Sequence, residues 1–292
     1  MALSGTGGID KILFGLGTGA VSYTSNNDIS TSGDVYCDTF SVTGSGTILT
    51  AFCNRIVARS KITIGAGATI KGDGLAASGN TGGVVAGIGT AGTLGAAEAG
   101  GNGGSSGDGV AGANMSSNWK GLGGAGGTGG NSGSHNGATG GLVLLSNMLG
   151  QHLNYSTLFN GWCVVQGGSI VYIGGGTGGG GGGGDTAAGG GGGGGGANVI
   201  YLAAPIIEIA GTLSCVGGAG GAGNAAGNNG GGGGGGGGTI ILVYSQLILS
   251  GSINVAGGAG GAGHGSGVAG AAGAAGHTYH VNGLSTALGP VV

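Results

Sequence analysis

The sequence predicts an all-β protein: a strand-rich, solenoid-like or sandwich-like N-terminal module, followed by stacked strands interleaved with polyglycine II helices. Three observations predict it. Short β-branched runs recur about every ten residues in the first quarter of the chain. Near the C-terminus a strand-plus-glycine unit repeats at an offset of 40 residues. The glycine tracts carry a period of three.

Three zones follow in order. Residues 1–75 read as a strand-rich attachment module of ordinary composition. Asp34–Val42, Asn54–Arg59, Lys61–Ile64 and Ala68–Ile70 are strand-like runs. Ile62-Thr-Ile64 alternates as a half-buried strand does. Gly44-Ser-Gly46, Gly65-Ala-Gly67 and Gly72-Asp-Gly74 punctuate these runs as turns. Residues 76–142 are dominated by Gly, Ala, Ser and Asn and read as a polyglycine II region. Residues 143–292 alternate apolar strands with glycine tracts. There, Gly-Gly-Ala-Gly-Gly-Ala-Gly occurs at 217–223 and again at 257–263. The preceding segments, Ile207–Val216 and Leu247–Ala256, match in kind and place Gly211 and Gly251 at the same offset. Ile62–Lys71 is a weaker relative. Such a period signals supersecondary units that stack on one another.

The chain has 292 residues, of which 89 are glycine, while charged residues make up only 5%. Globular chains average about 7% glycine and about 25% charge. Disordered chains are poor in apolar residues and rich in charge, yet here the apolar share is 39%. The glycine is therefore read as ordered. In an extended helix with three residues per turn, every third residue forms one column, and a glycine column lets a neighbouring helix approach to backbone contact. Gly258, Gly261, Gly267, Gly270 and Gly273 form such a packing column, interrupted at His264. This helix makes no internal hydrogen bonds, so buried N–H and C=O groups must pair laterally. Proline could not donate those bonds, and the chain has only two.

All Lys and Arg lie at or before Lys120, and after it only Asp185 and Glu208 are charged. With no basic patch, nucleic-acid binding is excluded. No 18-residue apolar stretch predicts membrane insertion. The N-terminus lacks a basic n-region and a long h-region, so synthesis in a cytosol without a signal peptide is expected. The thin supply of acids argues against catalysis. Asp34 and Asp38 lie four apart, Asp10 and Asp28 lie near the start, and no Gly-Lys dipeptide supports a P-loop. No catalytic residue, metal ligand or cofactor is assigned. His277-Thr-Tyr-His280 lacks neighbouring ligands and reads as polar surface, or as an ion site across a symmetry axis. Cys37, Cys53, Cys163 and Cys215 show no zinc spacing and read as buried thiols.

The segment Asn147–Trp162 interrupts the glycine pattern. His152, Asn154, Tyr155, Phe159 and Trp162 are its candidate receptor contacts, because aromatic rings stack on sugars while amides bond hydroxyls. The competing reading makes these aromatics caps of the core layers. Thr239–Tyr244 is a continuous apolar run, which implies burial on both faces and points to a homo-oligomer.

The opening Gly7–Gly15, with Val21-Ser-Tyr-Thr-Ser, Asp34-Val-Tyr, Asn54–Arg59 and Ile62–Ile70, resembles glycine-rich structural proteins of tailed bacteriophages. The later glycine blocks are similar in style to adhesins at the tips of T-even-type tail fibres. The resemblance implies a virion-surface protein, without enzymatic activity, exposed at a tail fibre or as an adhesin. It also implies a trimer attached to other virion proteins through residues 1–75, contacting a host glycan or outer-membrane protein. The segments between glycine blocks are here apolar strands rather than polar loops. That departure leaves open the alternative of a capsid-decoration or head-fibre protein with no receptor role.

Overall fold

The computed structural model describes residues 17–29, 33–51, 54–83, 94, 97–114, 119–121, 123–143, 163–166, 169–185 and 189–282. Its strands are β1 (Ala20–Tyr23), β2 (Asn27–Asp28), β3 (Val35–Val42), β4 (Ile48–Thr50), β5 (Arg55–Ile64), β6 (Thr69–Lys71), β7 (Trp119–Gly121), β8 (Cys163–Gln166) and β9 (Ser169–Gly174). They continue with β10 (Val199–Ala203), β11 (Ile206–Ile209), β12 (Thr212–Ser214), β13 (Thr239–Tyr244), β14 (Gln246–Leu249), β15 (Ser252–Asn254) and β16 (His277–Asn282).

An 8-stranded sheet runs β1-β3-β5-β10-β13-β16, with β11 between β5 and β14, and a 5-stranded sheet runs β15-β12-β6-β4-β2. Every pair in both is parallel. A third, 3-stranded sheet joins β7, β9 and β8 and is mixed.

These pairings correct the expected fold class. Two purely parallel sheets are the arrangement of α/β proteins, not of an all-β solenoid or sandwich-like module followed by a separate body. Strands from the first and last zones share both sheets: β5 lies directly against β10 and β11, and β6 against β12. Parallel neighbours need long crossovers, usually helical. Here several of those crossovers are glycine-rich, and glycine disfavours α-helix by about 1 kcal/mol per residue. No α-helix occurs among the described residues, and none there is long and apolar enough to cross a membrane.

The 40-residue offset is the register of the sheets. Ile200 pairs with Ile240, Ile207 with Leu247 and Leu213 with Ile253. The weaker relative forms the adjoining layer, with Ile62 beside Ile207 and Ile70 beside Leu213. Phe40, Ile56, Ile62, Ile64, Ile200, Leu202 and Leu242 of the larger sheet join Leu49, Ile70 and Leu213 of the smaller in one buried cluster. Each such side chain contributes about 1.5–3 kcal/mol when fully buried. The opposite face of β10 and β13 is dry as well: Val199, Tyr201, Ala203, Ile241 and Val243 are buried outside that cluster. Both faces of Thr239–Tyr244 are thus covered within one chain, so its apolar run needs no partner subunit.

The glycine tracts form a bundle of extended segments beside the sheets. Segment 175–184 shows its logic. Gly176, Gly179 and Gly182 donate to Ala197, Gly194 and Gly191; Thr177, Gly180 and Gly183 donate to Gly124, Gly127 and Gly130; Gly181 and Gly184 donate to Val110 and Gly107. Its carbonyls accept from Glu98, Gly101 and Gly104, from Gly236, Gly233 and Gly230, and from Gly141 and Ala138. Three residues per turn, each with one donor and one acceptor, give six lateral directions, and all six are filled. A Cβ on Gly180 would lie 2.2 Å from the Ala138 carbonyl oxygen, and one on Gly232 would lie 1.9 Å from that of Gly192. Thr177, the one larger residue in this segment, donates its hydroxyl to Gly141 O at 2.6 Å and accepts from Gly126 N at 2.9 Å.

Glycine density tracks position in the bundle. Segments 175–184 and 229–238, nearly pure glycine, are buried throughout. In 257–263 Gly258 and Gly261 are buried while Ala259 and Ala262 are exposed. In 267–276 Gly267, Gly270 and Gly273 are half-buried and the alanines between them are exposed. The predicted packing column is therefore folded in two. Gly258 and Gly261 face the carbonyls of Gly218 and Gly221, whereas Gly267, Gly270 and Gly273 face those of Asn229, Gly232 and Gly235. The chain reverses between them at Gly265, whose φ is +63°.

The bundle geometry separates two substitutions. Gly232→Ala is expected to lower unfolding free energy by about 1–3 kcal/mol or more, through overpacking against backbone that cannot rotate away. Ala272→Ser, on an exposed column, should change it by no more than about 0.5 kcal/mol. Urea denaturation of the two variants checks both; equal effects would contradict the packing described.

Candidate functional site at the loop end of the bundle

Segments 72–77, 175–184, 189–197, 217–223, 230–238, 257–263 and 267–276 each join a strand at one end and a reversal at the other. Reversals lie at 78–81, 104–108, 131–136, 223–229 and 264–266, and segments 175–184 and 189–197 run antiparallel to each other. Backbone bridges Gly107–Gly184, Gly184–Asn229 and Asn229–His264 tie four of them side by side. They are rich in Asn, Ser, Gly, Asp and His, which supply turns through left-handed backbone and local side-chain hydrogen bonds, with Thr81, Ala225 and Ala226 among them. Gly189 and Gly227 take φ values of +80° and +121°, and Ser106, the one non-glycine with positive φ among the described residues, takes +50°.

Asn229 anchors this end. Its side chain is fully buried. Its Oδ1 accepts the Asp185 N–H at 3.0 Å, and its Nδ2 donates to Asn224 O at 2.9 Å. Its main chain exchanges hydrogen bonds with His264 at 2.8 and 3.1 Å. One residue thereby fixes three reversals.

Asp185 is the second organising residue. Its Oδ1 accepts from the Ser132 hydroxyl at 2.6 Å and the Ser134 N–H at 2.9 Å. The Ser132 hydroxyl, then the Ser134 amide, hold the Asp185 carboxyl below the usual carboxylate range, and His135 adds to this. His135 Nδ1 stands 3.7 Å from Asp108 Oδ1, which also accepts the Asn136 N–H at 2.7 Å. His264 donates from Nδ1 to Gly227 O at 2.8 Å, because a carbonyl can only accept.

Charge is segregated along the molecule. Arg55, Arg59, Lys61 and Lys71 lie on β5 and β6 and pair with Asp34, Asp38, Glu208 and Asp73. The loop end carries Asp108 and Asp185 and no Lys or Arg.

His152, Asn154, Tyr155, Phe159 and Trp162 lie outside the described residues, as do Asp10 and Cys53. Asp34 and Asp38 do not form an acid pair: Asp34 grips Arg55 at 2.6 Å, and Asp38 binds Arg59 and Ser60 at 3.0 and 2.7 Å. His277 and His280 are exposed on β16, with His280 Nδ1 3.2 Å from Tyr244 Oη. Among the described residues no group of three or more His, Cys, Asp or Glu is placed to hold a metal ion. Cys37 and Cys215 are buried thiols outside any disulfide, and burial with Asp38 nearby pushes the Cys37 thiol up to about 11.

The sequence reading missed the loop end. Its signal was present as breaks in the period of three at 131–136, 184–189, 223–229 and 264–266, each filled with turn residues. Comparison of the chain with protein-family models, curated proteins and solved structures gives no match. The site is accordingly read from its own geometry.

The depressed Asp185 carboxyl sets a pH dependence. A group whose folded pKa lies below its unfolded value of about 3.9 stabilises fully above that value and loses its contribution as pH falls through the folded one. The Ser134 amide resonance is expected to titrate with a midpoint below about 3.9, and to lose that titration in Asp185→Asn. A midpoint above 3.9 would contradict the hydrogen-bonded carboxylate.

Proposed function

We propose that this chain is a non-enzymatic virion protein of a tailed bacteriophage, exposed at a tail fibre or as an adhesin, that contacts the host surface through the loop end of its bundle. The observation that supports this reading is the convergence of polar reversals at one end of a backbone-bonded, side-chain-poor scaffold. Loops held on rigid elements carry binding functions in many folds. The scaffold offers few mobile side chains and few charges. The sheet body, through residues 1–75, is the proposed attachment to other virion proteins. A trimer is the assembly that the fibre resemblance implies.

A second reading, a capsid-decoration or head-fibre protein without a receptor role, draws on β14. Its Ile248 and Leu249 are 42% and 47% exposed beside a strand edge that pairs only with β11. Exposed apolar edges recruit protein partners.

Binding of purified protein to susceptible cells separates these readings. Asn228→Ala with His264→Ala is expected to weaken cell binding by about tenfold or more, the scale of one or two lost hydrogen bonds. Tyr155→Ala with Trp162→Ala tests the interrupted segment in parallel. Wild-type protein that ignores cells while holding capsid or shaft proteins would replace the adhesin with the structural component.

A further inference from the structure

The chemistry of the loop end narrows what it can hold. Asn131, Asn224 and Asn228 are exposed, and each spends its side-chain oxygen on a backbone N–H: Gly137 at 2.9 Å, Ala226 at 3.0 Å and Ser266 at 3.0 Å. A backbone N–H can only donate, so the bonded atom is Oδ1 and the amide NH2 takes no part in these turn hydrogen bonds. Those NH2 groups have no partner among the described residues. Each turn thus presents two N–H donors at a position already fixed by its own fold, which lowers the ordering cost of binding.

His264 adds an acceptor. Its Nδ1 carries the proton donated to Gly227 O, which leaves Nε2 of the neutral ring as an exposed acceptor. Asp108 and Asp185 supply the only charges of the surface, and both are negative. No Phe, Tyr, Trp, Lys or Arg lies in the reversals. An anionic ligand would meet two carboxylates with no cation to offset them. An apolar protein surface would find no apolar side chain larger than alanine in the reversals.

We propose that the loop end binds an uncharged, hydroxyl-rich polysaccharide, with the Asn131, Asn224 and Asn228 amides donating to sugar oxygens. This rests on the adhesive reading of the loop end, and it goes beyond it by naming the ligand chemistry. Because neither partner brings opposite charge to the contact, binding is nearly independent of salt.

The test immobilises the full chain and measures retention of mannan, dextran and galactan, with alginate as the acidic counterpart, at pH 7 in low and high salt. At least one neutral polymer is expected to bind, with less than about twofold change across the salt range, and alginate is expected not to bind. Asn228→Asp keeps the oxygen that accepts from Ser266 N and removes the NH2 donors. It is expected to lose about tenfold in retention with an unchanged melting curve. Should it fail to fold, Asn131→Asp asks the same question at an independent turn. Preference for alginate, no retention of any neutral polymer, or retention unchanged in both variants overturns the proposal. Cell binding is measured alongside with the same variants. If cells bind through the loop end while no neutral polymer competes, the polysaccharide inference falls and the adhesive reading stands. If wild-type protein binds no cells, the adhesive reading itself falls.

Discussion

The lateral hydrogen bond between glycine backbones is the interaction on which the rest of this molecule depends. A segment with three residues per turn cannot satisfy its own N–H and C=O groups, so it must be surrounded or wet. Around 175–184 six neighbours meet that demand. Any Cβ on its inner positions would strike a carbonyl at about 2 Å. The same constraint grades the bundle outward. Pure glycine is needed where all directions are occupied, two glycines in three suffice at the edge, and one in three suffices on the outermost segment.

That bundle does not sustain itself. Ordering a residue costs about 1–2 kcal/mol, and more for glycine. A lateral hydrogen bond returns only about 0.5–1.5 kcal/mol net. With about one donated bond per central residue, the balance is near zero or unfavourable. The dry sheet body supplies the difference and also fixes the register. β10, β13 and β16 continue directly from glycine segments, while β6, β12 and β15 lead into others. Strand pairing at the 40-residue offset therefore places glycine carbonyls opposite glycine amides before the bundle closes.

The polar loop end follows from the same geometry. Where segments reverse, the period of three must break. Left-handed glycines with Asn, Ser and Asp supply both the turn and the hydrogen bonds that replace the lattice. Asn229 and Asp185 tie four reversals to one another. Ion pairs of Arg55, Arg59 and Lys61 stay on the sheet body, which leaves the loop end acidic and free of cations.

Composition and period determined much of this by themselves. The glycine excess, the scarcity of proline and the period of three required ordered, laterally bonded backbone. The repeat at 217–223 and 257–263 fixed which strands stack. Gly258, Gly261, Gly267, Gly270 and Gly273 were legible as close-approach positions because a missing side chain is a local property. Only the tertiary structure decided the rest. Periodicity carries no direction, so it could not show that both large sheets are parallel or that β5 from the first quarter lies against β10 from the last third. Continuous apolar runs state that two faces are buried but not by what, and here one chain covers both. Nor could spacing reveal that Asp185, Asn229 and His264, 35 to 79 residues apart in the chain, meet at one end. Their meeting depends on segments that reverse at one end of the bundle, where hydrogen-bond register brings Gly184, Asn229 and His264 side by side.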